Sequence, residues 1–308
     1  MTGNAKQNHS VELAVFDICV PAYNRETLLC ELLATLDKDT SVYVSDNGGY
    51  LRESQHVTKR ATVSSTSTVI PAYSNWNRAA SLGSKPFFFL PSDDDFYEIG
   101  FETSVTDVIK KHGDSGLIVF GHKFVDAKGN VNSLWVPDRE KTYEGRSAFE
   151  LFRYGVDARF PSILINRFAF ESEAGFNESY KVTASDSELI QRIALNHSVT
   201  TIPIIISSYR VWQENMTSAK ISSLDWTREI DVWLKGIDNL LINKEWCPSP
   251  VWRRHFRDEI RLRNMISAIS TIGGLSESLG YLKERRYPLC ATPRSHFSLI
   301  HKLIKNAI

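Results

Sequence analysis

The chain has 308 residues, with 36 Lys plus Arg against 36 Asp plus Glu, and 42% hydrophobic and 23% charged side chains. This is the composition of an ordinary soluble globular protein, and it excludes disordered, collagen-like and coiled-coil chains. The length allows a large core and predicts one large domain over 1–222 with a helical extension over 223–308.

Residues 1–15, MTGNAKQNHSVELAV, lack the basic start and continuous apolar stretch of a secretory signal, and no run of 18 apolar residues follows anywhere. Neither export nor a membrane span is expected. The run FDICV at Phe16–Val20 is short, apolar and β-prone, and Pro21 is expected to end it. Leu28, Leu29, Leu32, Leu33 and Leu36 then recur at helical spacing, and VYVS at Val42–Ser45 reads as a second strand closed by Asp46, Asn47, Gly48 and Gly49. A β-α-β start implies parallel pairing, so both strands end on the same sheet edge, where open α/β sheets bind ligands. Pro21–Arg25 and Asp46 are therefore expected side by side.

After a Ser/Thr-rich stretch (62–68), SNWNRAASLGS reads as a helix stopped by Gly83, and PFFFL (86–90) as a buried strand followed at once by Ser92, Asp93, Asp94 and Asp95. A helix over about 99–111, the strand GLIVFG (116–121), a looser polar segment (126–147) and the strand SILIN (162–166) continue the α/β order. Beyond residue 222 the pattern is helical. Ile230, Trp233, Leu234, Ile237, Leu240 and Leu241 share one side of a first helix, and Ser249-Pro250 starts a second that could run to Gly273. The two parts differ in charge: 22 basic against 27 acidic side chains in 1–224, and 14 against 9 in 225–308. Cysteines 19, 30, 247 and 290 have no metal-type spacing and are too sparse for a disulfide framework, which points to a reducing, cytoplasmic setting.

Three consecutive carboxylates after a buried strand repel one another and call for a cation or N–H donors. Hard carboxylate oxygens suit Mg²⁺ or Mn²⁺, completed by phosphate oxygens and water. The plainer alternative is a solvated turn with one Asp capping the next helix. A second acidic site, Ser185, Asp186, Ser187 and Glu188, opens LIQRIAL. By itself it reads as a capping box, with Ser185 as cap and Glu188 three residues on.

Five segments in order, ICVPAYNRETLLCELLATL (18–36), VYVSDNGG (42–49), NWNRAASL (75–82), FFFLPSDDDFY (87–97) and GFNESYKVTASDSELIQRIAL (175–195), resemble the family 2 glycosyltransferases. The flavour is that of sugar transferases of bacterial surface polysaccharide, such as those of O-antigen lipopolysaccharide. The resemblance spans Phe16 to Met216. It implies a GT-A, Rossmann-like, mostly parallel sheet flanked by helices, with a helical C-terminal extension, and transfer of one sugar, with inversion, from a nucleotide-sugar donor to a glycan or lipid-linked saccharide. It further implies that Pro21, Ala22, Tyr23, Asn24 and Arg25 wrap the nucleotide, and that Asp46 accepts a hydrogen bond from base or ribose. Asn75 and Arg78 would approach from the other side, Arg78 holding a phosphate or else making a surface ion pair. Asp93, Asp94 and Asp95 match the metal-binding acidic (DXD) motif, with the pairing open between Asp94–Asp95 and Asp93–Asp95. Asp186 becomes the base that deprotonates the acceptor hydroxyl, with Glu188 as fallback. Many relatives carry a third metal ligand, a histidine after a Tyr-Arg pair; this chain reads YRVWQENMT, with Trp212 there.

Residues 294–308 set Phe297, Ile300, Leu303 and Ile304 at helical spacing among Arg294, Lys302 and Lys305. With WRRHFRDEIRLR (252–263) this suits peripheral contact with anionic lipid at the cytoplasmic face of an inner membrane. The alternative is a helix docking its apolar face on the body with its lysines outward. Nucleic acid is not expected, for want of a motif or basic excess. Rival functions are a nucleotidyltransferase, which usually has a glycine-rich basic loop that VPAYNRE lacks, and a noncatalytic nucleotide-sugar scaffold.

Overall fold

The computed structural model describes residues 15–211, 220–243, 246, 248–285 and 287–307; Trp212 and Cys247 lie outside the described residues. The chain runs β1 Phe16–Ala22, α1 Glu26–Ala34, β2 Ser41–Asp46, α2 Gln55–Thr58, β3 Thr62–Ser65, α3 Ala72–Leu82, β4 Phe87–Phe89, β5 Phe96–Tyr97, α4 Phe101–His112 and β6 Leu117–Val125. It continues with β7 Val131–Trp135, β8 Lys141–Tyr143, α5 Gly145–Leu151, a 3-10 turn Phe160–Ser162, β9 Ile163–Asn166, α6 Arg167–Ser172, α7 Ser185–Asn196 and β10 Val199–Arg210. Four helices follow: α8 Leu224–Asn243, α9 Pro250–Ile269, α10 Leu275–Glu284 and α11 Pro293–Ala307.

Among the described residues the strands form one sheet, ordered β3-β2-β1-β4-β9-β6-β10-β5, with β7 on β6 and β8 on β10. Parallel pairs join β1 to β2 and β4, β2 to β3, and β6 to β10, whereas β9 opposes both β4 and β6. The central sheet is therefore mostly parallel, with β9 inverted inside it and β5, β7 and β8 antiparallel at its margins among the described residues, and helices flank it. Its end-of-strand register sets Pro21 beside Ser45 and Ala22 beside Asp46, the adjacency expected from the β-α-β start.

One strand expectation needs correction, and one long strand was not foreseen. Pro21 does not end β1 but lies within it. Ala22 O accepts from Asn47 N at 3.0 Å, so the amide groups of Pro21 face the β4 side. There pairing has already stopped at Ile18–Phe89, and the missing N–H leaves no ladder bond broken. The strand β10, VTTIPIIISSYR, carries Pro203 in its middle, which hides it from a pattern reading. Its register against β6 shifts between Thr201 and Ile205, a bulge that accommodates the proline. The polar segment 126–147 holds β7, β8 and the start of α5.

Alternation along β1 divides the interior. Phe16, Ile18 and Val20 pack with Leu29, Leu32 and Leu33 of α1 and Phe101 and Val105 of α4, while Cys19 turns to the other face. On that face Phe88, Ile163, Ile190 and Ile193 share one apolar cluster with Trp226, Trp233, Ile237, Phe256 and Leu299. Each such burial contributes about 1.5–3 kcal/mol. The cluster runs unbroken past residue 222, so α8–α11 complete the core of the body. A buried polar bridge marks the seam: Trp233 Nε1 donates to Gln191 Oε1 at 2.8 Å, and Gln191 Nε2 to Phe152 O at 2.8 Å.

In α8 the expected side is the buried one: Ile230, Trp233, Leu234, Ile237 and Leu241. Ser249 caps α9, its hydroxyl accepting from Trp252 N at 3.2 Å. The helix stops at Ile269 rather than Gly273 because Ser270 and Thr271 turn their hydroxyls back onto Ile266 O and Ala268 O. Helix α11 docks only part of its apolar side, with Leu303 partly buried against the core. Leu299 is buried, yet Phe297, Ile300 and Ile304 are 73%, 53% and 55% exposed. Polar anchors set the rotation: Ser295 Oγ donates to Glu259 Oε1 at 2.6 Å, and Asn306 Nδ2 to Ile269 O, Ile272 O and Ser278 Oγ at 3.0–3.1 Å. Among the described residues no helix is long and apolar enough to cross a membrane.

Candidate active site

A cleft of about 300 Å³ opens at the carboxyl edge of the sheet. Its walls come from the loop after β1 (Pro21, Tyr23, Arg25), the loop after β4 (Asp93, Asp94, Asp95), the end of β10 (Tyr209, Arg210), the start of α7 (Asp186) and the first turns of α3 and α8 (Tyr73, Trp76, Trp226). Segments distant in sequence meet here because parallel strands deliver their following loops to one edge.

The acidic loop is tied down from three sides. Tyr23 N donates to Asp93 Oδ2 at 2.9 Å, and Arg25 Nη1 donates to Asp93 Oδ1 at 3.3 Å and to Asp94 Oδ2 at 3.0 Å. Arg210 holds the loop backbone through Nε to Asp94 O at 3.0 Å, while its Nη2 pairs with Glu31 at 2.6 Å. Asp95 turns inward: Oδ2 accepts from Ser92 N at 2.8 Å, and Oδ1 is buried without a hydrogen-bond partner. Burial pushes the Asp93 carboxyl up to about 6 despite Tyr23 N and Arg25. Burial and then the charge of Asp94 push Asp95 well above the usual carboxylate range.

Which of the three carboxylates suits a cation follows from where they point. Asp93 and Asp94 converge on one atom, Arg25 Nη1, whereas Asp95 faces its own loop. Among the described residues no three His, Cys, Asp or Glu side chains form a closed metal cage. Two hard carboxylates at the mouth of a cleft nevertheless fit Mg²⁺ or Mn²⁺ shared with diphosphate oxygens, since such ions commonly take only one or two protein carboxylates.

Asp186 keeps part of its surface open to the cleft. The protein packed around it raises its pKa, opposed by a 2.7 Å bond from Ser187 N and by the charge of Arg159. The capping box read from the sequence does not form. Ser185 Oγ donates to Asn177 O at 3.0 Å, and Glu188 pairs with Arg192 at 3.0 Å. The helix is instead entered through Ala184 in the left-handed region (φ 69°), a conformation that costs a non-glycine residue about 1–2 kcal/mol and sets Asp186 at the cleft.

The remaining expected residues do not line this cleft. Asp46 is buried, its carboxylate accepting from Tyr50 N and Leu51 N at 3.0 Å and from Ser65 Oγ at 2.7 Å, so it braces the loop after β2. Asn75 Oδ1 accepts from Ser45 Oγ at 2.6 Å. Arg78 Nη1 donates to Ser45 Oγ at 2.6 Å and Ser64 O at 2.7 Å. This network ties the ends of β2 and β3 together. Ala22 gives its carbonyl to Asn47, and Asn24 adopts φ 51° to turn the chain toward Arg25.

Sequence reasoning missed Arg159. Its guanidinium lines the cleft over the rings of Tyr209 (5.1 Å) and Phe124 (5.5 Å), and its Nε is buried with no hydrogen-bond partner. Its charge acts on both Asp186 and Tyr209. Burial pushes Tyr209 up to about 12, so its phenol remains an O–H donor at neutral pH. The only sequence signal was the Tyr209-Arg210 pair, which served there as a landmark for residue 212.

No protein-family model matches this sequence, and no curated protein matches it. Solved structures do share its shape. Staphylococcus aureus TarS 1–349 superposes with a TM-score of 0.59 at 15% identity, covering 94% of this chain and 88% of that one. TarS 1–349 in complex with UDP-GlcNAc gives 0.60 at 15% identity over 94% and 89%, and its complex with UDP gives 0.56 at 15% over 94% and 88%. What is common at this identity is the fold, an α/β architecture of GT-A type with a helical C-terminal region.

Proposed function

We propose that this protein is a glycosyltransferase that moves a sugar from a nucleotide-sugar donor to a hydroxyl of a glycan or lipid-linked saccharide, with inversion. The observation that carries the reading is that Asp186 and the Asp93–Asp94 pair, far apart in sequence, line one cleft at the ligand-binding edge of the sheet. Likeness in fold to a protein crystallised with UDP-GlcNAc and with UDP supports a nucleotide-sugar donor.

Asp186 acts as base. Its raised pKa brings proton affinity closer to neutral pH, and its place at a helix start across the cleft from the acidic loop suits a proton-accepting role. The acceptor oxygen loses its proton to Asp186 and forms the new bond to the anomeric carbon. The bond from that carbon to the diphosphate oxygen breaks on the opposite face, and its electron pair leaves with the nucleoside diphosphate. Arg159, with unused donor capacity, meets the growing phosphate charge, and Tyr209 offers an O–H beside it. A divalent cation held by Asp93 and Asp94 would supply further positive charge to the diphosphate. Arg25 offsets part of the charge of the same two carboxylates when no cation is there.

The test is release of nucleoside diphosphate from a panel of UDP-, GDP-, dTDP- and CDP-sugars, with thermal shift as the binding readout. Asp186→Asn is expected to keep donor-induced stabilisation and to lose about 10²–10⁴-fold in turnover. Full turnover by this variant would remove Asp186 as base. Stabilisation by a donor with no turnover of any donor in wild type would leave a nucleotide-sugar scaffold.

A further inference from the structure

Helix α11 carries two rows on its outer side. The first is apolar: Phe297, Ile300 and Ile304, exposed by 73%, 53% and 55% and spaced to form one stripe. The second lies beside it and consists of the cations Arg294 and Lys305 with the polar His301 between them, all exposed. Residues 285–308 contain Arg285, Arg286, Arg294, Lys302 and Lys305 and no Asp or Glu at all. Leu289, just before the helix, is 72% exposed.

The helix cannot turn this face inward without breaking its inner contacts. Leu299 is buried, Ser295 is bonded to Glu259, and Asn306 holds the carbonyls that end α9. Exposed apolar side chains normally occur singly on a protein surface. Here they are aligned, held outward by the inner contacts, and flanked by a cationic row whose own segment, 285–308, carries no acid.

We propose that this face seats α11 flat on an anionic lipid bilayer, with the apolar row at the acyl boundary and the cationic row on lipid phosphates. A second copy of the chain would cover the apolar row but would offer no counter-charge to the cationic row. A bilayer accounts for both rows at once. The inference stands apart from the sugar-transfer reading and does not depend on it.

The experiment is co-sedimentation of the full chain with phosphatidylcholine vesicles and with vesicles containing about one third phosphatidylglycerol, at low and high salt. Wild type is expected to pellet with the anionic vesicles at low salt, to stay in solution with neutral ones, and to be released by salt. Arg294→Ser and Lys305→Ser should each weaken binding about fivefold, and the double variant Ile300→Ser/Ile304→Ser at least about tenfold. All four positions are exposed, so unchanged circular dichroism and melting temperature certify that the variants are folded. Wild type remaining in the supernatant with anionic vesicles would overturn the proposal. So would undiminished pelleting of the double variant, or a wild-type dimer that the double variant dissolves into monomers.

Discussion

Asp93→Asn tests the electrostatics of the cleft without substrate or metal. Asp93 is 5% exposed, and its carboxyl is pushed from 3.8 to about 6, chiefly by burial. Because the folded pKa is the higher one, the folded state binds more protons than the unfolded state between these values, and stability falls as pH rises through that window. A rise from 3.8 to about 6 corresponds to about 3 kcal/mol, absent at pH 4 and below and fully expressed above pH 6. Asn carries no titrating charge, so the stability difference between variant and wild type is expected to move by about 3 kcal/mol in favour of the variant over this range. Asp95, shifted in the same direction, adds to the slope that both proteins share. Urea unfolding in chelator-treated buffer at about half-unit pH intervals measures it. Parallel stability curves for the two proteins would refute a burial penalty at Asp93 that outweighs Tyr23 N and Arg25.

Two further substitutions probe the helical layer. The Glu259 carboxyl would be raised by burial, but Ser295, the Thr292 amide and Arg263 outweigh this and hold it at about 2. Its stability contribution is therefore present above pH 4.5 and lost as pH falls through 2, and Glu259→Gln is expected to cost about 3 kcal/mol at neutral pH, read by urea unfolding, with earlier proteolysis of α11. Trp233→Phe leaves Gln191 Oε1 buried without its 2.8 Å donor and is expected to cost about 1–3 kcal/mol by thermal unfolding.

How far the sequence could be read depended on whether a feature is local. The unit β1-α1-β2 was legible because FDICV, the leucine spacing and the Asp46-Asn47-Gly48-Gly49 stop each act within a few residues. The buried side of α8 was legible for the same reason. The long strand β10 was not, since Pro203 argues locally against a strand and only the bulge opposite β6 excuses it. Nor was the rotation of α11 legible. Its apolar spacing names a stripe, but whether that stripe faces the body was decided by Ser295 and Asn306 finding partners on α9 and α10. At the site, Asp93, Asp94 and Asp186 stood out as charges at strand ends or helix starts. Arg159 did not, because a single arginine gains meaning only from the rings and carboxylates brought around it in space. Asp46, Asn75 and Arg78 show the converse: polar residues at the right edge were drawn into backbone and side-chain bonds that hold the edge together.

Trp226 belongs at once to the apolar interior and to the wall of the cleft, with its indole N–H fixed to Asn264 of α9 at 2.9 Å. A fragment cut at residue 222 would thus lose one side of its cleft and lay bare the surfaces of Phe149, Ile190 and Ile193 that α8 and α9 now cover. Such a fragment invites aggregation, and any ligand affinity measured on it would describe a half-built cleft. For the same reason, exchanging the helical region between proteins of this shape means redesigning a shared interior rather than swapping an appendage.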